Sequence, residues 1–279
     1  GSSICWMVSA RIAAMAKKKA PPVIGIDFET HPIEDLRPAY PPKSTSLSIQ
    51  WPEWKAPKFF CWGHPRDNNS TLDQVKKELG KCVAAAKERK VALVFHNAKF
   101  DWEIICELLG ISVNEIPWDM IHDTQYLLFL DNPHSRSLEL KPAAEAILGE
   151  PPDERDAVLE WIQANIRKSI GPKRAGEFYY LVPGKVMGPY ANGDVRRTIK
   201  IFNKLWPQIV SRGMESAYDR ERELMPILLQ NEREGLRVDM ALLRKDIRIF
   251  QAEREKADTW LRKKLKAPNL NINSNAEFA

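Results

Sequence analysis

The chain has little cysteine and no long apolar run, and each shortage narrows what it can be. Four cysteines occur in 279 residues, at Cys5, Cys61, Cys82 and Cys106. They form no Cys-x-x-Cys pair and no metal-ligand rhythm, so they read as reduced intracellular thiols and argue against a disulfide scaffold or a thiolate zinc site. No stretch approaches the ~20 apolar residues that span a bilayer, so no membrane segment is expected. One-sided charge is also missing. The net charge is +5, from 42 basic and 37 acidic side chains, and Arg11 and Lys17 to Lys19 come before any acid. Beyond that leader the signs nearly balance, so net charge alone is no argument for nucleic-acid binding. Residues 1–21 lack the apolar core of a secretory signal and read as a flexible basic leader.

A hydrophobic content of 44% and a charged content of 28% suit a globular chain large enough for a substantial core. Strands are expected at 23–28, 47–51, 58–62, 91–95 and 116–121. Helices are expected at 71–89, 101–109, 124–130 (capped by Asp123), 138–148 and 153–168. A Gly/Pro-rich loop over 171–188 leads to a helix that starts near Tyr190, with Pro189 suited to its first turn. Past residue 213 the pattern turns to long charged helices, 215–234 and 239–266. The second carries Leu243, Ile247, Phe250, Ala257, Leu261 and Leu265 on one stripe. This is an α/β layout, a mixed β-sheet flanked by helices with a C-terminal helical appendage.

Three clusters carry the chemistry. Asp27 and Glu29 end the run VIGIDFET, and alternate residues on a strand address one side together. Alone the pair is weak, since Asp219 and Glu221 repeat the spacing on an expected helix, where they diverge. Asp101 follows His96, Asn97 and Phe100, and alone would pass for a helix N-cap. Tyr190 and Asp194 are four apart, on one face of a helix. The phenol is neutral at pH 7 and can orient a water by hydrogen bonding. Two carboxylates about 4 Å apart, at an effective dielectric near 20, repel by roughly 4 kcal/mol. Four aimed at one point therefore call for a divalent cation, and oxygen donors favour Mg²⁺ or Mn²⁺.

In this order, the clusters resemble the motifs of the DEDD superfamily of 3′–5′ exonucleases: Asp-x-Glu on the first strand, Asn-x-x-Phe/Tyr-Asp after the fourth, and Tyr-x-x-x-Asp on a late helix. Tyr190–Asp194 is the one Tyr-x-x-x-Asp in the chain and points to the tyrosine subclass. The resemblance covers residues 22–213 and is strongest to the proofreading domain of family A DNA polymerases. ERELMPILLQNEREGLRVD looks like the segment joining that domain to the polymerase thumb and NINSNAEFA like the motif shortly beyond, so 214–279 resembles the start of a thumb region and is the appendage.

The resemblance implies a ribonuclease H-like fold and two Mg²⁺ or Mn²⁺ ions per site. Asp27 would bridge the ions, Glu29 and Asp194 would complete one site, and Asp101 would serve the other through water. Tyr190 would hold the attacking water, while Thr30 and Asn97 match positions near the terminal nucleotide. The implied activity is 3′–5′ hydrolysis of single-stranded or frayed DNA ends, without polymerisation, beside a polymerase module and in the cytoplasm or another DNA-containing compartment. An exoribonuclease like ribonuclease D, or a non-catalytic module that binds primer ends or docks a polymerase, is the alternative.

Overall fold

A computed structural model describes residues 20–33, 40–151, 154–271 and 273–274. Most of the basic leader, Cys5, positions 34–39 and the end of the NINSNAEFA motif lie outside the described residues. The sheet has five strands in the order β3-β2-β1-β4-β5. They are β1 Val23–Thr30, β2 Ser44–Gln50, β3 Lys58–Cys61, β4 Ala92–Phe95 and β5 Ile121–Asp123. Strand β2 runs antiparallel to β1 and β3, whereas β1, β4 and β5 run parallel. The carboxyl ends of the parallel strands thus open at one edge, where α/β sheets gather their ligands.

Helices cover both faces. Ile24, Ile26 and Phe28 of β1 pack with Val75 and Leu79 of α1 (Leu72–Lys87) and with Trp102 and Ile105 of α2 (Ala98–Leu109). On the other face Val23 and Val94 meet Leu127 of α3 (Thr124–Asp131), Ala144 of α4 (Leu140–Leu148), and Ile201 and Phe202 of α6 (Gly184–Ser211). Helix α5 (Glu154–Asn165) packs with α6 in a third cluster around Val158, Ile162 and Met187. This is the mixed sheet between helices that the sequence pattern predicts. Cys61, Cys82 and Cys106 are buried and form no disulfide among the described residues, and no described helix is long and apolar enough to cross a membrane.

Several local expectations need correction. The last strand lies at Ile121–Asp123, because Pro117 opens a 3₁₀ turn over Trp118–Met120 where a strand was expected from 116. The loop expected over 171–188 contains a 3₁₀ helix, Pro172–Leu181. Helix α6 begins at Gly184, so Pro189 is interior rather than near its start. Gly184 makes that early start possible: a Cβ there would lie 2.5 Å from the Asp67 carbonyl oxygen and 2.6 Å from Cys61 Sγ. Helix α2 starts at Ala98, so Asn97 takes the N-cap position and Asp101 sits one turn inside.

The chain divides into two compact units, 1–232 and 233–279. Although the 215–234 stretch is rich in charge, helix α7 (Glu215–Glu234) contributes to the first unit. Its Tyr218, Met225 and Leu229 are buried in that unit's two main cores. The Tyr218 hydroxyl accepts from the Asp123 N–H at 3.0 Å, and Arg222 donates to the carbonyls of Asp119 and Ile121 at 2.9 and 3.2 Å. In the second unit, Asp239 caps α8 (Met240–Leu265) by accepting from the N–H groups of Ala241 and Leu242, both at 3.0 Å. Leu243, Ile247, Phe250 and Leu265 of the expected stripe are exposed.

Candidate active site

Position 25 sets the distance between strand and helix. Gly25, Asp27 and Glu29 alternate onto the face of β1 that meets α6. A Cβ on Gly25 would lie 2.7 Å from Ile199 Cδ1 and 2.9 Å from Val195 Cγ1, so a bare glycine lets α6 press onto the strand. Asp194, next to Val195, is thereby brought to the acids of β1. Ligand oxygens of Asp27, Glu29 and Asp194 all lie within 4.8 Å of one another. The β1–β2 register shifts between Glu29 and Thr30, a bulge of the kind that re-aims side chains beside active sites.

Asp101 comes to the same place from the opposite layer. It is buried, and its Oδ1 accepts from the N–H of Phe28 at 3.0 Å. Tyr190, one turn before Asp194, is buried as well, and its hydroxyl donates to that of Tyr179 at 3.1 Å. Asp101 and Tyr190 thus border the three-acid group, Asp101 outside the set of oxygens that lie within 4.8 Å of one another. Thr30 lies past the bulge with its hydroxyl donating to the His31 carbonyl at 2.8 Å. Asn97 is exposed and left-handed, at φ 72°, and its side chain makes no capping bond.

Asp27, Glu29 and Asp101 are protonated far more readily than in water. Burial, followed by the charge of Asp194, pushes Asp27 up to about 8. Burial and the neighbouring carboxylates of Asp27 and Asp194 lift Glu29 well above the usual range. Burial and Asp27 do the same for Asp101. Burial and the charge of Asp194 raise the Tyr190 phenol, which keeps it neutral. Like charges crowded in a dry site hold protons until a cation replaces them. The cluster is thus capable of coordinating a divalent metal ion: its donors are hard oxygens, close enough to share one ion, and they lack full charge compensation from protein.

Three contributors escape the motif reading. Lys141 Nζ donates to Asp194 Oδ2 at 2.7 Å and to the Tyr190 hydroxyl at 2.8 Å. Tyr179 partners Tyr190. Asp123, expected only to cap α3, accepts from Gln125 N at 2.8 Å and also from Asn97 N at 3.1 Å and Ala98 N at 2.8 Å. It buckles the turn that launches α2, four residues before Asp101. None has a sequence signal beyond its type, because each acts across 11 or more residues of chain. His96 behaves as a structural residue: its Nδ1 lies 2.8 Å from the Thr124 hydroxyl, and burial holds the ring down to about 4.

Residues 9–210 match the family described as 3′-5′ exonuclease. A DNA polymerase I from Rhizobium leguminosarum is 24% identical over 170 residues, 61% of this chain and 15% of the polymerase. The chain thus spans a small part of that relative's length. Among solved structures, Brucella melitensis NrnC with bound Mg²⁺ superposes with a TM-score of 0.51 at 14% identity, over 78% of this chain and 89% of that one. NrnC bound to pGG gives 0.50 at 14% identity, over 80% and 91%. At such identities the structural likeness speaks for the fold. The family match covers most of the chain and spans all three acidic clusters. The chain belongs to the DEDD-type 3′–5′ exonuclease domains related to the proofreading domain of family A DNA polymerase I.

Proposed function

We propose that this chain hydrolyses phosphodiester bonds from the 3′ end of single-stranded nucleic acid. The carrying observation is the convergence of Asp27, Glu29 and Asp194 within 4.8 Å in a buried site. In this reading Asp27, Glu29 and Asp194 would hold one divalent ion, and Asp101, through water, would serve a second. Mg²⁺ or Mn²⁺, when bound, stabilises charge on the phosphate and lowers the pKa of the attacking water. The neutral Tyr190 hydroxyl orients that water by hydrogen bonding, and the protein supplies no general base of its own. Thr30 and Asn97, at the carboxyl ends of β1 and β4, face the terminal nucleotide. All four acids are present, which favours an enzyme over a degenerate binding module.

DNA is the first substrate of this reading. Support comes from the family match, the polymerase relative and the thumb-like sequence of 214–279, which we read as an appendage to a nuclease domain at 22–213. A polymerase module is its expected partner. Short RNA is the second reading, favoured by the similarity to NrnC, whose structure with pGG covers most of both chains. The test is trimming of 5′-labelled DNA and RNA oligonucleotides of one sequence, with Mn²⁺ or Mg²⁺. Stepwise shortening that disappears in Asp27→Ala and Asp194→Ala supports the site. Survival of trimming in those variants refutes it, and equal or faster trimming of RNA replaces DNA as the substrate.

A further inference from the structure

Lys141 is out of place by every local rule. It stands in the first turn of α4, where the helix dipole disfavours a cation. Its long side chain is only 15% exposed, although ordering a lysine costs rotamer entropy. What holds it is the site. The ammonium donates to Asp194 Oδ2 and to the Tyr190 hydroxyl, and it lies 4.0 Å from the centroid of the Tyr190 ring. Arg197 also approaches Asp194, but on the other oxygen and at 3.4 Å, while its second amino group donates to the Pro151 carbonyl. The two Asp194 oxygens therefore face two different cations.

We propose that Lys141 is a positioning residue of this site, orienting both the Asp194 carboxylate and the Tyr190 phenol. An ammonium has donors and no acceptor. When it donates to the phenol oxygen, the phenolic proton must point away from it, towards Tyr179 here and towards an acceptor in the reacting complex. The same ammonium fixes the rotation of the Asp194 carboxylate and offsets part of the charge of the cage. Its positive charge also opposes that of an entering divalent ion. Lys141 thus weakens metal binding while it improves the geometry. The proposal rests on the nuclease reading above for its kinetic arm and is independent of it for its binding arm.

Lys141→Met removes donor and charge, Lys141→Gln keeps a neutral donor, and Lys141→Arg keeps both. Mn²⁺ titration without nucleic acid should show Lys141→Met and Lys141→Gln binding about three- to tenfold tighter than wild type, because one opposing charge is gone. Turnover of the better oligonucleotide at saturating Mn²⁺ should fall about tenfold or more in Lys141→Met, with KM changed less than about threefold. Lys141→Gln should recover part of that loss, which a role in charge alone would not allow. An unmoved Mn²⁺ isotherm, or Lys141→Met turnover within about twofold of wild type, overturns the proposal. If Lys141→Met does not fold, Lys141→Gln and Lys141→Arg carry the same comparison. If wild type trims neither DNA nor RNA, the nuclease reading fails and the isotherm alone decides the place of Lys141.

Discussion

Asp101 accepts a hydrogen bond from the peptide N–H of Phe28, the residue between Asp27 and Glu29. The acid of the second cluster is therefore fastened to the strand that carries the first. Asn at position 101 keeps an acceptor for that N–H and removes a buried ionisable group. Asp101→Asn should then equal or exceed wild type in melting temperature at pH 8 without metal. The further rise on adding Mn²⁺ should shrink, and nuclease activity should fall at least about 10²-fold. A metal-free variant that melts well below wild type would contradict this account of the carboxylate.

The raised carboxylates give stability a definite slope with pH. Asp27 titrates near 8 in the folded chain against 3.8 as a free side chain. Between those values the folded state holds a proton that the unfolded state has released. Stability from this group is therefore complete below about 4 and is lost as pH rises through 8. His96 and His122, whose folded values are lowered, act in the opposite sense, losing stability as pH falls below about 6.5. The clean window is about pH 7 to 8, where metal-free stability should fall and Asp27→Asn should flatten the slope. Millimolar Mn²⁺ should raise the melting temperature more at pH 8 than at pH 6. Denaturant titrations across that window check the sign.

Gly25 and Gly80 make a matched pair. A side chain at 25 meets Val195 and Ile199, whereas one at 80, in α1, meets nothing within 4 Å. Gly25→Val should cost about 1–3 kcal/mol by overpacking and should weaken Mn²⁺ binding as α6 backs away with Asp194. Gly80→Ala should gain about 0.5–1 kcal/mol, with metal binding unchanged. Urea unfolding and Mn²⁺ titration read both effects. Equal Mn²⁺ affinity in Gly25→Val and wild type would show that the close approach is not what places Asp194.

Asp123 is predicted to matter for stability and then for the site. Its carboxylate serves the N–H groups of Asn97, Ala98 and Gln125. Asp123→Ala leaves these donors unpaired and should cost on the order of 3 kcal/mol. Asp123→Asn retains an acceptor and should cost less. Because the turn at 97–98 sets the start of α2, Mn²⁺ affinity should weaken in step with stability. Loss of stability with unchanged Mn²⁺ affinity would separate the turn from Asp101.

The sequence alone determined the sheet-and-helix class and the order of the acidic clusters, because strand alternation and helical spacing are local. Asp27 and Glu29 share a side by period two, and Tyr190 and Asp194 share one by a single helical turn. Element starts were less legible. The Gly184 start of α6 depends on room beside Cys61 and Asp67, and the packing of α7 depends on Tyr218 and Arg222 reaching β5, about 100 residues earlier. Long-range packing sets the rest: Gly25 lets α6 close on β1, Asp123 buckles the turn before Asp101, and Lys141 enters the cage. These are contacts between segments distant in the chain. Their residues carry no local pattern, since what selects them is the space and charge the other segment presents.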